Sequence, residues 1–202
     1  MKHAQQTGIV PLKKWVGRID AGRSPRAAAE PAAQHEYGVL KVSAVGQNIF
    51  RPIENKRLLD TADFRPQDAI KAGDILITRA NAVIANVARP CISDMDYDNL
   101  MLSDKTLRLV PVPGYPSRLI LAALCTPAFR SHVQESVNGT DAKNISQSKI
   151  LAGPVPDLDQ KTVQRVSRDL AALDSTLAAL SRRRTTSQLV KASLLAEFFG
   201  GN

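Results

Sequence analysis

Three stretches of the 202-residue sequence bring acids and cations close enough together to suggest chemistry. Glu54-Asn55-Lys56 has the Glu-x-Lys shape of metal-dependent nucleases, but no aspartate precedes it at a useful spacing, and nearby Pro52 marks a turn. Asp157 and Asp159 crowd onto one predicted helix start, where negative charge favours the N-terminal dipole. Asp94, Asp96 and Asp98 alternate like the opening of a calcium loop, yet position six is Asn99 instead of Gly and position twelve is Lys105 instead of Glu. A cation at that place repels calcium, so an acidic surface loop facing away from phosphate is expected. His3, His35 and His132 do not cluster, His35-Glu36 lacks the second histidine of a zinc protease motif, and Cys91 and Cys125 have no zinc spacing. Glycine-rich nucleotide loops and a Gly-x-Ser-x-Gly elbow are missing as well. These patterns predict no catalytic residue, no metal and no cofactor.

The remaining chemistry is that of binding a polyanion. The net charge is +8, and up to residue 155 there are 20 Lys and Arg against 14 Asp and Glu, with 7 against 5 in the remainder. Lys and Arg neutralise phosphates without reading sequence, while Arg, Lys, Asn, Gln, Ser and Thr on turns can pair with base edges. Several turns mix these types. Arg23, Ser24 and Arg26 flank a proline turn; Lys41 and Ser43 are expected on one strand face at period two. Arg79 and Asn81 follow an apolar strand and are expected to project from its end, and Asn138, Thr140, Lys143 and Asn144 surround Gly139 on a polar loop. If Arg79 pairs with a base, Arg79→Ala costs ~1–3 kcal/mol of specific binding. Aromatic residues make up 4% of the chain, too few for the stacking platforms of single-strand binders, so duplex DNA is favoured.

Short strands and two helices must position these groups. Tyr37 to Val45, Asp74 to Arg79 and Thr106 to Pro111 read as strands, the last ending at proline. Ser117 to Cys125 and Phe129 to Val137 read as helices, and Gly139, Gly153, Pro154 and Pro156 punctuate an expected linker. From Asp157 to about Phe199 there is neither proline nor glycine. Val163, Val166, Leu170, Leu173, Leu177 and Leu180 recur at alternating steps of three and four, and the register resumes at Leu194 and Phe198 after Arg182-Arg183-Arg184 interrupts it. Such a helix spans roughly 60 Å; its apolar stripe calls for a partner helix from another copy or another protein, the alternative being a helix that folds back on its own domain. The basic interruption fits phosphates, an acidic patch on a docked subunit, or a solvated face. Both cysteines are expected to be buried thiols in a reducing cytoplasm; no segment reaches the ~18 apolar residues of a membrane span, and no signal peptide is visible.

Taken in order, several motifs resemble a known family. They are Gly22-x-Ser24-Pro25, the YGVLKVSAV run from Tyr37, Glu54-Asn55-Lys56, GDILITRAN from Gly73, LMLSDKTLRL from Leu100, NGTDAKNIS from Asn138, and the Pro154-Val155-Pro156 to Gln160 lead-in to a long helix ending LLAEFFG. The combination resembles a type I restriction–modification specificity subunit in half-length form, with one target-recognition domain and one spacer helix. The family's usual member carries two of each, so this chain is either a natural half-subunit that dimerises or a fragment; the Gly200-Gly201 stop favours the former.

The resemblance implies an α+β fold: a target-recognition, DNA-binding domain with a small mixed β-sheet and helices over residues 1–155, then a long C-terminal coiled-coil helix over 156–202 for dimerisation and spacing. It implies a non-catalytic cytoplasmic subunit of phage defence, whose partners are double-stranded DNA, a second copy, a DNA methyltransferase subunit and, as a further partner, a restriction subunit. Two antiparallel helices then hold the heads at opposite ends over two inverted half-sites, less than ~20 base pairs apart. The alternative is a non-catalytic scaffold or DNA-binding regulator whose helix binds a protein partner; no helix-turn-helix supports the regulator.

Overall fold

Ile75-Leu76-Ile77-Thr78 is buried at every position because both of its faces are covered. In the computed structural model, which describes residues 8–138 and 143–199, this segment lies inside a layered α+β head. The strands are β1 (Ile9–Pro11), β2 (Val16–Ala21), β3 (Gly38–Leu40), β4 (Asn55–Arg57), β5 (Ala69–Ile70), β6 (Ile75–Thr78), β7 (Ala80–Asn81), β8 (Pro90–Ile92), β9 (Tyr97–Met101), β10 (Thr106–Pro111), β11 (Lys143–Asn144) and β12 (Pro154–Pro156). The helices are α1 (Ser117–Leu124), α2 (Pro127–Ser136), α3 (Gln147–Leu151) and α4 (Gln160–Phe199).

One four-stranded sheet has the order β2-β10-β6-β8 and is antiparallel throughout. The second, β4-β3-β9-β5, is mixed, with β3 parallel to β9. The period of two along β6 then explains its composition. Ile75 and Ile77 join a core with Trp15, Ile120, Phe129 and Val133 from the helical side, while Leu76 joins Cys91, Leu40, Ile70 and Leu100 between the two sheets. Arg108 bridges the sheets. Its guanidinium donates to the Ala69 carbonyl (2.9 Å) and the Gln67 carbonyl (2.8 Å), and it pairs with Asp20 (3.2 Å) and Asp74 (3.1 Å). Burial raises the Asp20 carboxyl, but hydrogen bonds from Arg18 and Arg108 win and hold it below its ordinary value.

Three sequence expectations change here. The run from Tyr37 forms a strand only over Gly38–Leu40; Val42–Ala44 is a 3-10 turn, so Lys41 and Ser43 are not alternate positions of one strand. Ala44 and Val45 leave the sheet to fill the inter-sheet core, which ends the ladder. The expected linker around Gly153 to Pro156 is ordered: β12 pairs antiparallel with β1, across most of the chain's length. The two thiols also differ. Cys91 is buried, and burial pushes it up to about 12, whereas Cys125 is exposed. Partial burial raises the Cys125 thiol as well, so one thiol per native chain is expected to react with a thiol-specific disulfide reagent well ahead of the other, and Cys125→Ser should abolish that first phase.

α4 extends for 40 residues, as its uninterrupted pattern predicts. Asp159 caps it, accepting the Thr162 backbone N–H at 2.7 Å, and hydrogen bonds from Thr162 hold its carboxyl below the ordinary value. The apolar seam divides in two. Val163 is buried in the head's own core and so is closed to a partner, while the half-buried Val166 and Leu170 pack against that core, which engages this part of the seam within the chain. Arg118 of α1 reinforces the junction through Asp174 at 3.0 Å. Beyond it, Leu173, Leu177, Leu180, Leu194 and Phe198 are exposed, with 54% of Leu177 accessible. No helix among the described residues is long and apolar enough to cross a membrane.

Candidate nucleic-acid interface

A chain of adjoining hollows runs across the head, each sharing residues with the next. The outer one is lined by Arg23, Ser24, Pro25, Asp63 and Arg65. Ser24 and Pro25 also line the next, with Lys41, Lys56, Asp104 and Lys105. Lys41 and Val42 lead into the third, about 550 Å³, where Ser43, Arg51, Asn81, Asn86 and Arg89 converge. Seven cations and two carboxylates line this groove, a concentration of positive charge suited to a phosphate backbone.

Local contacts explain how the groove is built. Gly22 lets the chain lie against the turn at 102–106: a Cβ at this position would sit 1.9 Å from the Leu102 carbonyl oxygen. The Gly22 N–H donates to the Ser103 carbonyl, and the Ser24 hydroxyl bonds Asp104, which sets Arg23 and Ser24 beside Lys105. Glu54 accepts from the Ser43 hydroxyl at 2.6 Å and lies 4.0 Å from the Lys41 ammonium. Asn55 is buried, its carbonyl oxygen accepting from the Ala32 N–H and its amide donating to the Pro52 carbonyl. Glu54-Asn55-Lys56 is thus a structural strand edge.

The candidates from the polar turns separate. Arg23, Ser24, Lys41, Ser43 and Asn81 line the groove. Lys143 is the cross-strand partner of Asn81 in the β7–β11 ribbon, and Asn144 forms a reciprocal backbone bridge with Asn138. Thr140 lies outside the described residues. Arg26 is exposed but is not a lining residue, and Arg79 is half-buried, with an Nε that meets no partner. The Asp94–Asp98 turn is neutralised locally: Lys71 pairs with Asp96 and Asp98, and the Ala72 N–H donates to Asp96. The hydrogen bond to Asp98 pulls the Lys71 ammonium above its ordinary value.

Sequence reasoning missed Arg51, Arg65, Asn86, Arg89, Lys56 and Lys105. A usable signal was present for three of them. Arg51-Pro52, Arg65-Pro66 and Arg89-Pro90 are Arg-Pro dipeptides, and all three arginines line the groove. A following proline biases the arginine backbone toward extended conformations and limits the freedom of the segment that carries it.

No family model matches the chain. The specificity subunit of the type I restriction enzyme EcoEI from Escherichia coli is 31% identical over 144 residues, which are 69% of this chain and 24% of that protein. The crystal structure of a type I restriction–modification S subunit from M. genitalium matches 99% of the chain and 48% of its own, with a TM-score of 0.63 at 12% identity. A chain from a study of type I system assembly matches 96% of this one and 45% of its own (TM-score 0.52, 17% identity). The HsdS subunit from Thermoanaerobacter tengcongensis matches 91% and 41% (TM-score 0.52, 14% identity). The chain thus spans about a quarter of the curated relative and just under half of the solved subunits. In motif order, in sequence likeness and in the shared design of a layered head on a long helix, it belongs to the family of type I restriction–modification specificity subunits.

Proposed function

We propose that the chain is a non-catalytic reader of duplex DNA, whose head grips a short half-site through the basic groove and whose helix fixes its distance from a second head. The observation that carries this reading is the convergence of Arg23, Lys41, Lys56, Arg51 and Arg89, from four separate segments, on one groove. Asn81, Asn86 and Ser43 stand among these cations and supply the amide and hydroxyl groups that discriminate base edges. The proposed domain boundary lies near residue 155, with the helix beyond it acting as spacer. Its exposed leucines pair with a second copy, antiparallel, over two inverted half-sites. A methyltransferase subunit docks on this frame and supplies the chemistry, with a restriction subunit as a further partner.

The test is a mobility-shift titration over a range of salt with specific duplex and bulk competitor. The unmodified chain, with its methyltransferase, should prefer its specific duplex by ~10³-fold or more. The double substitution Arg51→Ala, Arg89→Ala should weaken binding ~10-fold or more and reduce the slope of log affinity against log salt by about 2, since each phosphate contact contributes about 0.9. An unchanged slope would remove the groove from the DNA interface.

A further inference from the structure

The segment between Asn81 and Arg89 holds Ala82, Val83, Ile84 and Ala85, four consecutive apolar residues, and all four are exposed. Val83 is 55% accessible. A run of this kind is disfavoured on a protein surface unless it meets something. The backbone beneath it is firmly held. Asn81 Oδ1 accepts from the Val83 N–H (2.9 Å) and from Asn86 Nδ2 (3.3 Å), and the Thr78 hydroxyl donates to the Asn86 carbonyl. From α2, the Arg130 guanidinium donates to the carbonyls of Ala85 (3.1 Å), Val87 (2.9 Å) and Ala88 (3.0 Å). Ala88 has φ +50°, a conformation that a residue with a side chain adopts at a cost and keeps only when its surroundings enforce it.

We propose that residues 82–85 form a preordered finger that contacts thymine methyl groups in the major groove, and that Arg130 is the positioning residue that holds it. The inference rests on the DNA-reading function proposed above. The finger is flanked by Asn81, Asn86 and Arg89 of the basic groove, so the charge that draws in a duplex brings base edges to this tip. On those edges the C5-methyl of thymine is the apolar feature that Val83 and Ile84 complement. The adjoining β7 and β11 pair antiparallel, and a two-stranded ribbon is an element that the ~12 Å major groove admits.

The experiment uses the full chain with its methyltransferase and short duplexes selected from a randomised pool, with deoxyuridine then replacing thymidine to delete the methyl groups alone. The selected motif should contain thymine, and deoxyuridine should weaken binding roughly 4-fold for each contacted methyl. The double substitution Val83→Ser, Ile84→Ser should weaken binding to thymidine duplex similarly and lose the response to deoxyuridine. Arg130→Ala, if thermal unfolding shows it folded, should lower the ratio of specific to bulk affinity ~10-fold while leaving bulk affinity in place. If it does not fold, the finger substitutions decide alone. A selected motif indifferent to deoxyuridine, or a Val83→Ser, Ile84→Ser chain that keeps its response, would overturn the finger and leave the groove standing. Failure to select any motif would overturn the DNA reading and the finger with it.

Discussion

A chain carrying Leu177→Asp is expected to sediment as a monomer at concentrations where the unmodified chain is a dimer. Leu173, Leu177 and Leu180 are each more than half exposed, on a helix of 40 residues that reaches well beyond its contacts with the head. Burying one such leucine contributes about 1.5–3 kcal/mol, and a two-fold interface contains each twice. One substitution therefore removes ~4 kcal/mol, about 10³-fold in the dissociation constant, before the cost of burying a carboxylate is added. The head should keep its melting temperature, because Leu177 is not among the residues packed on its core. Val163→Asp should do the reverse and unfold the head, since Val163 is 1% exposed in that core. An unmodified chain that sediments as a monomer would mean that the leucine face does not pair with a second copy.

Gly22→Ala should cost ~3 kcal/mol or more in stability, toward the upper end for overpacking. The new Cβ would meet the Leu102 carbonyl oxygen at 1.9 Å and its carbon at 2.4 Å, both backbone atoms that cannot rotate aside. The melting temperature should fall by about 10 °C for a chain of this size. The loss should extend to DNA, because Gly22 leads into the turn that places Arg23 and Ser24 in the groove. A Gly22→Ala chain with unchanged melting would contradict the close approach of these two turns.

What the sequence reveals about this fold depends on how local the determinants are. The period of α4 and the alternation of β10 are local, and both elements lie where their patterns put them. β12 is not legible in this way: a Pro-Val-Pro segment reads as punctuation until Ile9–Pro11 arrives to pair with it. Val42 and Val45 favour strands and so suggest a strand face for Lys41 and Ser43, but the tertiary demand of the inter-sheet core bends the chain after Leu40. The groove was half legible. Polar turns disclosed Ser24, Lys41 and Asn81, whereas Arg51, Arg89 and Lys105 come from segments whose meeting only the sheet order decides. The heptad seam could not reveal its own division, because the packing of Val163, Val166 and Leu170 on the head requires the head to be present.

The most direct test of the central claim maps lysine acetylation by mass spectrometry, with and without duplex DNA, on the unmodified chain. Lys41, Lys56 and Lys105 line the groove, while Lys71 is held among Asp96 and Asp98 and Lys161 lies at the start of α4. DNA is expected to shield the first three and to leave Lys71 and Lys161 as reactive as before. Protection of Lys71 or Lys161 with Lys41, Lys56 and Lys105 unchanged would contradict it.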